Sequence, residues 1–124
     1  MKPPPAYELV FEADDGLWII TLLVRHRHYT ALKAVRHGAR LLLSDLVLES
    51  EHLKHQGIGN QLLDKLIAKA LSEGITEIYG SVTHDDIVQI PYLLAWYQRR
   101  GFVITEPDQD CLSNAKVKIV LKLN

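Results

Sequence analysis

The sequence predicts an α/β (α+β) fold: a single domain with a mixed, mostly antiparallel sheet and two main helices. Three observations predict it. Tyr7, Leu9 and Phe11 alternate with Glu8 and Glu12, and Asp14-Asp15-Gly16 follows, which is a strand running into a hairpin turn. Ile58, Leu62, Leu63, Leu66, Ile67, Ala70 and Leu71 recur at helical spacing, with Lys65, Lys69 and Glu73 on the opposite side. Strand-like runs flank that helix, so strand, glycine loop, helix and strand form a right-handed crossover, while the neighbouring hairpins make the sheet mixed.

The elements follow in order. Pro3-Pro4-Pro5 can neither extend a helix nor pair in a sheet, so residues 1–6 read as a loose arm. A second strand, rich in Trp, Ile and Thr, spans 17–24, and Arg25-His26-Arg27-His28 continues it into water. Residues 30–37 read as a short third strand ended by Gly38. Residues 39–49 are apolar for most of their length, which predicts a central strand buried on both faces. Gly74 is placed to end the main helix, and 75–83 is the next strand. The second helix is expected over 91–100, with Pro91 in its first turn and Gly101 after its end. Residues 102–105 and 117–123 read as the last strands, with a polar loop over 106–115 between them.

Length and composition exclude several classes. With 124 residues the chain has the size of one domain able to bury its own core. A net charge of -1 argues against a general nucleic-acid binder, which needs a basic surface. No apolar run is long enough to cross a bilayer, and the first residues lack the apolar core of a signal peptide. Cys111 is the single cysteine, so no internal disulfide forms, and the cytoplasm is the expected compartment.

Lys54-His55-Gln56-Gly57-Ile58-Gly59-Asn60-Gln61 lies where a loop becomes a helix. Such a turn aims several backbone N–H groups at one point beside the positive end of the helix dipole, which suits a phosphate or pyrophosphate. A Walker-type loop requires Lys and then Ser or Thr after the second glycine; Asn60 and Gln61 stand there instead. A dinucleotide fingerprint requires a third glycine where Leu62 stands, and Glu77, about twenty residues on, matches the ribose acid only by coincidence.

The segment resembles motif A of the GNAT acetyltransferase superfamily, with consensus Q/R-x-x-G-x-G/A. Ala95-Trp96-Tyr97-Gln98-Arg99-Arg100-Gly101-Phe102 resembles that family's helix ending in Tyr-x-x-x-Gly-Phe. The two motifs stand in the family's order, and the resemblance covers residues 41–102. It implies a splayed pair of central strands and an acetyl-CoA cosubstrate. The pyrophosphate would lie on the N–H groups of Gln56, Gly57, Ile58, Gly59, Asn60 and Gln61, with Lys54 and His55 beside them. The pantetheine arm would run along Val47, Leu48 and Glu49, where a backbone N–H would meet the thioester carbonyl. Losing one such donor costs about 2.7–4 kcal/mol in well-studied enzymes.

The implied reaction is direct attack of an amine on the thioester. Holding a lysine-like amine neutral at pH 7 costs roughly 4.6 kcal/mol, so a base is needed. Tyr97 is the candidate acid for the departing thiolate; the alternative is a ring packed on the core. Glu49 is the candidate base, with an ordinary solvated glutamate as the alternative, and Asp45 and His84 stand behind it. His84 could instead belong to a loop capping the next helix, since Asp86 to Gln89 fits a capping box. The pairs His26/His28 and His52/His55 have no third ligand in view, so no metal is expected. Arg25, Arg27, Arg36 and Arg40 read as solvated charges.

The sequence departs from the family at its start. The family's two helices between its first and second strands are missing, because Phe11 reaches Leu17 through Asp14-Asp15-Gly16. Either a second subunit walls the acceptor site, or a large acceptor brings its own surface, or the chain binds CoA without catalysis. A homodimer is expected to cover the exposed sheet. Ile90 replaces the asparagine the family often carries seven residues before its tyrosine. The expectation is therefore an N-acetyltransferase of unidentified amine acceptor, with a non-catalytic acetyl-CoA-binding regulatory or interaction module as the alternative, and neither nucleic acid nor membrane as partner.

Overall fold

The computed structural model describes residues 7–24, 27–46 and 57–123. Strand β1 (Tyr7–Asp14) turns into β2 (Leu17–Val24) through Asp15 and Gly16, both at positive φ (48° and 85°). That is the primed turn whose twist matches a hairpin. β3 (Arg27–His37) and β4 (Arg40–Leu46) continue an antiparallel meander. Helix α1 (Ile58–Ser72) then crosses over to β5 (Glu77–Thr83), which pairs with β4 in parallel. Helices α2 (His84–Gln89) and α3 (Leu93–Arg99) lead to β6 (Val103–Thr105), and β7 (Ala115–Lys122) inserts between β5 and β6. The seven-stranded order is β1-β2-β3-β4-β5-β7-β6. The expected mixed, mostly antiparallel α+β architecture is the observed one, and no helix separates β1 from β2.

Register assigns the faces. Trp18, Ile20, Leu22, Leu32, Ala34, Leu41, Leu43, Ile78, Val82 and Ile119 fall on one side and are buried. Helix α1 covers this inner face with Leu62, Leu63, Leu66 and Ala70. Lys69 lies 5.4 Å from the Phe11 ring and the Arg36 guanidinium donates to the Glu73 carbonyl, which fixes α1 over the meander. α3 adds Leu93 and Tyr97 to the same core.

Two expectations need correction. β4 is not buried on both faces: Leu41 and Leu43 are buried, Leu42 is half-buried, and Ser44 and Asp45 are exposed. Among the described residues no second helical layer covers the outer face, so the apolar run overstated burial. The helix expected over 91–100 is α3, but a further short helix, α2, stands before it where a loop was expected. Thr83 is the N-cap of α2: its hydroxyl accepts from the Asp86 N–H at 3.2 Å, and Asp86 accepts from the Thr83 N–H at 2.9 Å. The capping box therefore begins at Thr83, not at Asp86. Ile90 precedes proline and is driven out of the helical region (φ -130°, ψ 83°), so the helix breaks there and restarts at Leu93.

The outer face carries charges in place of a helix. Arg40 donates to Glu77 at 2.6 Å and to Asp110 at 2.8 Å. Lys122 also pairs with Glu77, and Lys118 reaches Asp108 at 2.7 Å and Asp110 at 3.2 Å. The Arg40 guanidinium stacks 4.1 Å from the centre of the Tyr79 ring. Arg40 is thus no solvated charge, and Glu77 is an anchor of the network. The hydrogen bond from Lys122, opposed by burial and helped by Arg40, holds the Glu77 carboxyl below its ordinary range. Asp110 is lowered by Arg40 and Lys118, and Asp108 by Lys118. A lowered carboxylate stabilises the fold above its unfolded pKa and loses that contribution as pH falls through the folded value. Unfolding free energy is therefore flat near neutrality and drops below about pH 4.5, Glu77's ordinary value. Glu77→Gln costs roughly 1.5–3 kcal/mol at pH 7 and flattens this acid limb, as denaturant titrations at several pH values will read.

Gly80 follows the last rung that β5 shares with β4. A Cβ there would stand 2.9 Å from the Leu43 carbonyl oxygen, a backbone atom that cannot swing aside. Gly80→Ala should destabilise by about 1–3 kcal/mol in a denaturant melt, by forcing the two strands apart.

Candidate functional site

β4 and β5 pair only through Arg40↔Glu77, Leu41↔Ile78 and Leu42↔Tyr79. Both strands run on, β4 to Leu46 and β5 to Thr83, without a further rung. Ser44 has no partner on β3, because Ala34 pairs with Leu43 and Lys33 with Asp45. That one-residue bulge bends β4 just beyond the last rung it shares with β5. Among the described residues the parallel ladder therefore stops short of the carboxyl ends of both strands, and the backbone groups facing each other beyond it share no rung. Open α/β sheets bind ligands at such a position.

The amino end of α1 belongs to the same edge of the sheet. Beyond the carboxyl end of α1, Thr76 donates its N–H to the Ala39 carbonyl at 2.7 Å, so α1 finishes near the starts of β4 and β5. Its 15 residues span about 22 Å back towards the opened end. Gly57 caps it at φ 70° and ψ 15°, a left-handed conformation that favours glycine and turns the chain sharply into the helix. The Gln61 N–H is the first to close an intrahelical bond, 3.1 Å from the Gly57 carbonyl. The N–H groups of Ile58, Gly59 and Asn60 precede it and have no partner within a helix by construction. The first turn carries no acid. Donors, dipole and a first turn without acids are the chemistry that suits an anion.

Helix α3 is clamped to this turn. The Trp96 indole donates to the Asn60 side chain at 2.9 Å, and Arg100 pairs with Asp64. Positions 60 and 64 lie one turn apart on α1, as do 96 and 100 on α3. The clamp sets the helix that carries Tyr97 against the first turns of α1. Tyr97 is only 5% exposed, and its ring packs 5.1 Å from both Trp96 and Phe102. Burial, with a smaller contribution from the Asp86 charge, raises its pKa above the ordinary tyrosine value, so the phenol is protonated at neutral pH. Sequence reasoning missed the clamp, the bulge and the outer-face network. The polar Ser44-Asp45 pair inside an apolar run was the available signal for the bulge.

The structure gathers Gly57, Ile58, Gly59, Asn60 and Gln61 into one turn. Ile58 buries its side chain in the core, so it can offer only its N–H. Asp45 is exposed beside the gap on the outer face, and His84 is exposed at the start of α2. Val47, Leu48, Glu49, Lys54, His55 and Gln56, together with His26, His52 and Arg25, lie outside the described residues. Among the described residues no group of three or more His, Cys, Asp or Glu is arranged to hold a metal ion, and no helix is long and apolar enough to cross a membrane.

No protein-family model matches the sequence, and comparison with curated proteins gives no match. Solved structures do match. The PaiA N-acetyltransferase from Thermoplasma acidophilum, in complex with coenzyme A, aligns with a TM-score of 0.70 at 17% identity over 87% of this chain. The chain spans 62% of that protein's length. A GNAT family acetyltransferase from Elizabethkingia anophelis with acetyl-CoA bound gives 0.72 at 12% identity, covering 97% of this chain and all of the other. A Bacillus subtilis acetyltransferase in complex with CoA gives 0.62 at 20% identity, covering 95% and 98%. At these identities the likeness is one of fold, and the fold is that of the GNAT acetyltransferases.

Proposed function

We propose that this GNAT-fold chain is an acyl-CoA-dependent N-acyltransferase that moves an acetyl group from acetyl-CoA to an amine by direct attack. The observation that carries the reading is the pairing of two features at one edge of the sheet. The β4/β5 ladder opens after Leu42↔Tyr79, and the acid-free first turn of α1 offers its N–H groups there. An extended arm laid in that gap finds unpaired backbone on both sides. A diphosphate joined to it finds the N–H groups of residues 57–60, with the Gln61 N–H bonded to the Gly57 carbonyl behind them. Complexes of GNAT-fold proteins with CoA or acetyl-CoA support the choice of ligand.

Roles follow from position. Gly57, Ile58, Gly59, Asn60 and Gln61 hold the pyrophosphate, with Lys54, His55 and Gln56 preceding them. Val47, Leu48 and Glu49 continue β4 along the arm. Glu49 takes the proton from the attacking amine, directly or through water, and Tyr97 returns one to the departing thiolate. Asp45 stands second as base, because its exposed carboxylate lies on the outer face from which an amine would approach. The cytoplasm, which supplies the coenzyme and suits a single unpaired cysteine, is the proposed compartment.

The burial of Tyr97 between two aromatic rings favours a second reading, a module that binds acetyl-CoA without turning it over. Two measurements separate the possibilities. Acetyl-CoA at a hundred times its Kd should add about 2.7 kcal/mol of stability in a thermal shift. A panel of polyamines, amino acids, peptide lysines and N-termini, read by release of free CoA, should then give turnover. Stabilisation without turnover selects the module, and no stabilisation removes both.

A further inference from the structure

The outer face of the β1–β2–β3 meander is ordered by charge. Register sets Glu12, Ile19 and Lys33 side by side across the three strands, and Glu8, Leu23 and His28 side by side a few residues away. Across these three strands each row runs acid, apolar, base, and on its β4 side Lys33 also stands beside Asp45. Glu8, Glu12 and His28 are exposed, and Leu17, also on this face, keeps 39% of its surface in water. Val10, Ile19, Leu23 and Val35 are half-buried. The helices lie on the inner face, so this apolar stripe along β2 meets no helix among the described residues.

From this arrangement we infer that the chain forms a homodimer, face to face, about a two-fold axis lying along β2. Such an axis sets β2 on its own copy and places β1 of each chain opposite β3 of the other. Glu12 then faces Lys33 of the second copy, and Glu8 faces its His28, at both ends of the interface at once. The same patch serves both partners, as a two-fold contact requires. Strands of the two copies run nearly aligned, the ordinary packing of a sandwich with sheets ≈10 Å apart. Acid against base across the apolar stripe sets both the register and the choice of a second copy as occupant.

The axis has a consequence for the site, and this step alone rests on the acyltransferase reading. Each copy's β4 and β5 project past the edge strand β1 of the other. That edge strand borders the outer-face approach to the opened β4/β5 gap and supplies a wall for it.

Sedimentation equilibrium without coenzyme tests the dimer independently of any activity. The wild type should weigh twice the 14.1 kDa chain. Glu12→Lys and Lys33→Glu should each weaken the dimer at least tenfold, because like charges then face each other twice. Mixing the two variants should restore the dimer mass, since every facing pair becomes opposite again. A variant that had merely unfolded could not be rescued this way. A monomeric wild type, single variants that remain dimeric, or a mixture that stays monomeric would each overturn the inference.

Discussion

Replacing Gly59 with glutamate should leave the apo chain folded and weaken acetyl-CoA binding on the order of a hundredfold, about 2.7 kcal/mol. Gly59 is the second residue of α1, in a first turn without acids. A carboxylate there is favourable for the helix alone: it meets the positive end of the dipole, worth about 0.3–1 kcal/mol, and it replaces a poor helix former. The melting temperature of the apo protein should hold or rise. A diphosphate on the same N–H groups meets the opposite effect. Two like charges about 4 Å apart repel by roughly 1 kcal/mol in bulk water and 4 at an effective dielectric of 20, and the longer side chain also takes up space. Gly59→Gln, equal in size but uncharged, should retain most of the affinity that glutamate removes. Calorimetric titration of the three proteins reads both quantities. Wild-type affinity in the glutamate variant would move the phosphate site away from α1.

What the sequence made legible was what local chemistry decides. The β1–β2 hairpin follows from alternation and an Asp-Gly turn, and α1 from an apolar stripe closed by glycines. The start of α1 and its acid-free first turn were readable because the glycines and the lack of acids are contiguous. The features that were not legible depend on distant partners. Nothing near Arg40 announces that Glu77 and Asp110 will meet it, 37 and 70 residues further on. Asn60 and Trp96 lie 36 residues apart, yet their bond ties the first turn of α1 to the helix that carries Tyr97. The apolar run of β4 suggested burial on both faces because it cannot report that, among the described residues, no second layer covers the outer one. Pro91 marked the start of α3, and it also pushes Ile90 out of the helical region, which separates α2 from α3.

Tyr97→Phe should lower turnover by about a hundredfold while leaving acetyl-CoA affinity within about twofold, the share usual for a positioned acid. The argument starts from burial. Desolvation disfavours the phenolate, so the Tyr97 hydroxyl keeps its proton beyond the pH at which an exposed tyrosine loses it. A proton held through neutral pH is available to a thiolate leaving group, and phenylalanine has none to give. The packing against Trp96 and Phe102 depends on the ring alone, so stability should change by no more than about 1 kcal/mol. The pH dependence adds an independent sign. The raised pKa means that the unfolded chain ionises near pH 10 while the folded chain does not. Wild-type stability should then fall as pH rises above that value, and the variant should lack this part of the fall. Loss of the alkaline limb with full turnover would make Tyr97 a packing residue only. Loss of turnover with an intact fold and unchanged coenzyme affinity would place the hydroxyl at the departing sulfur.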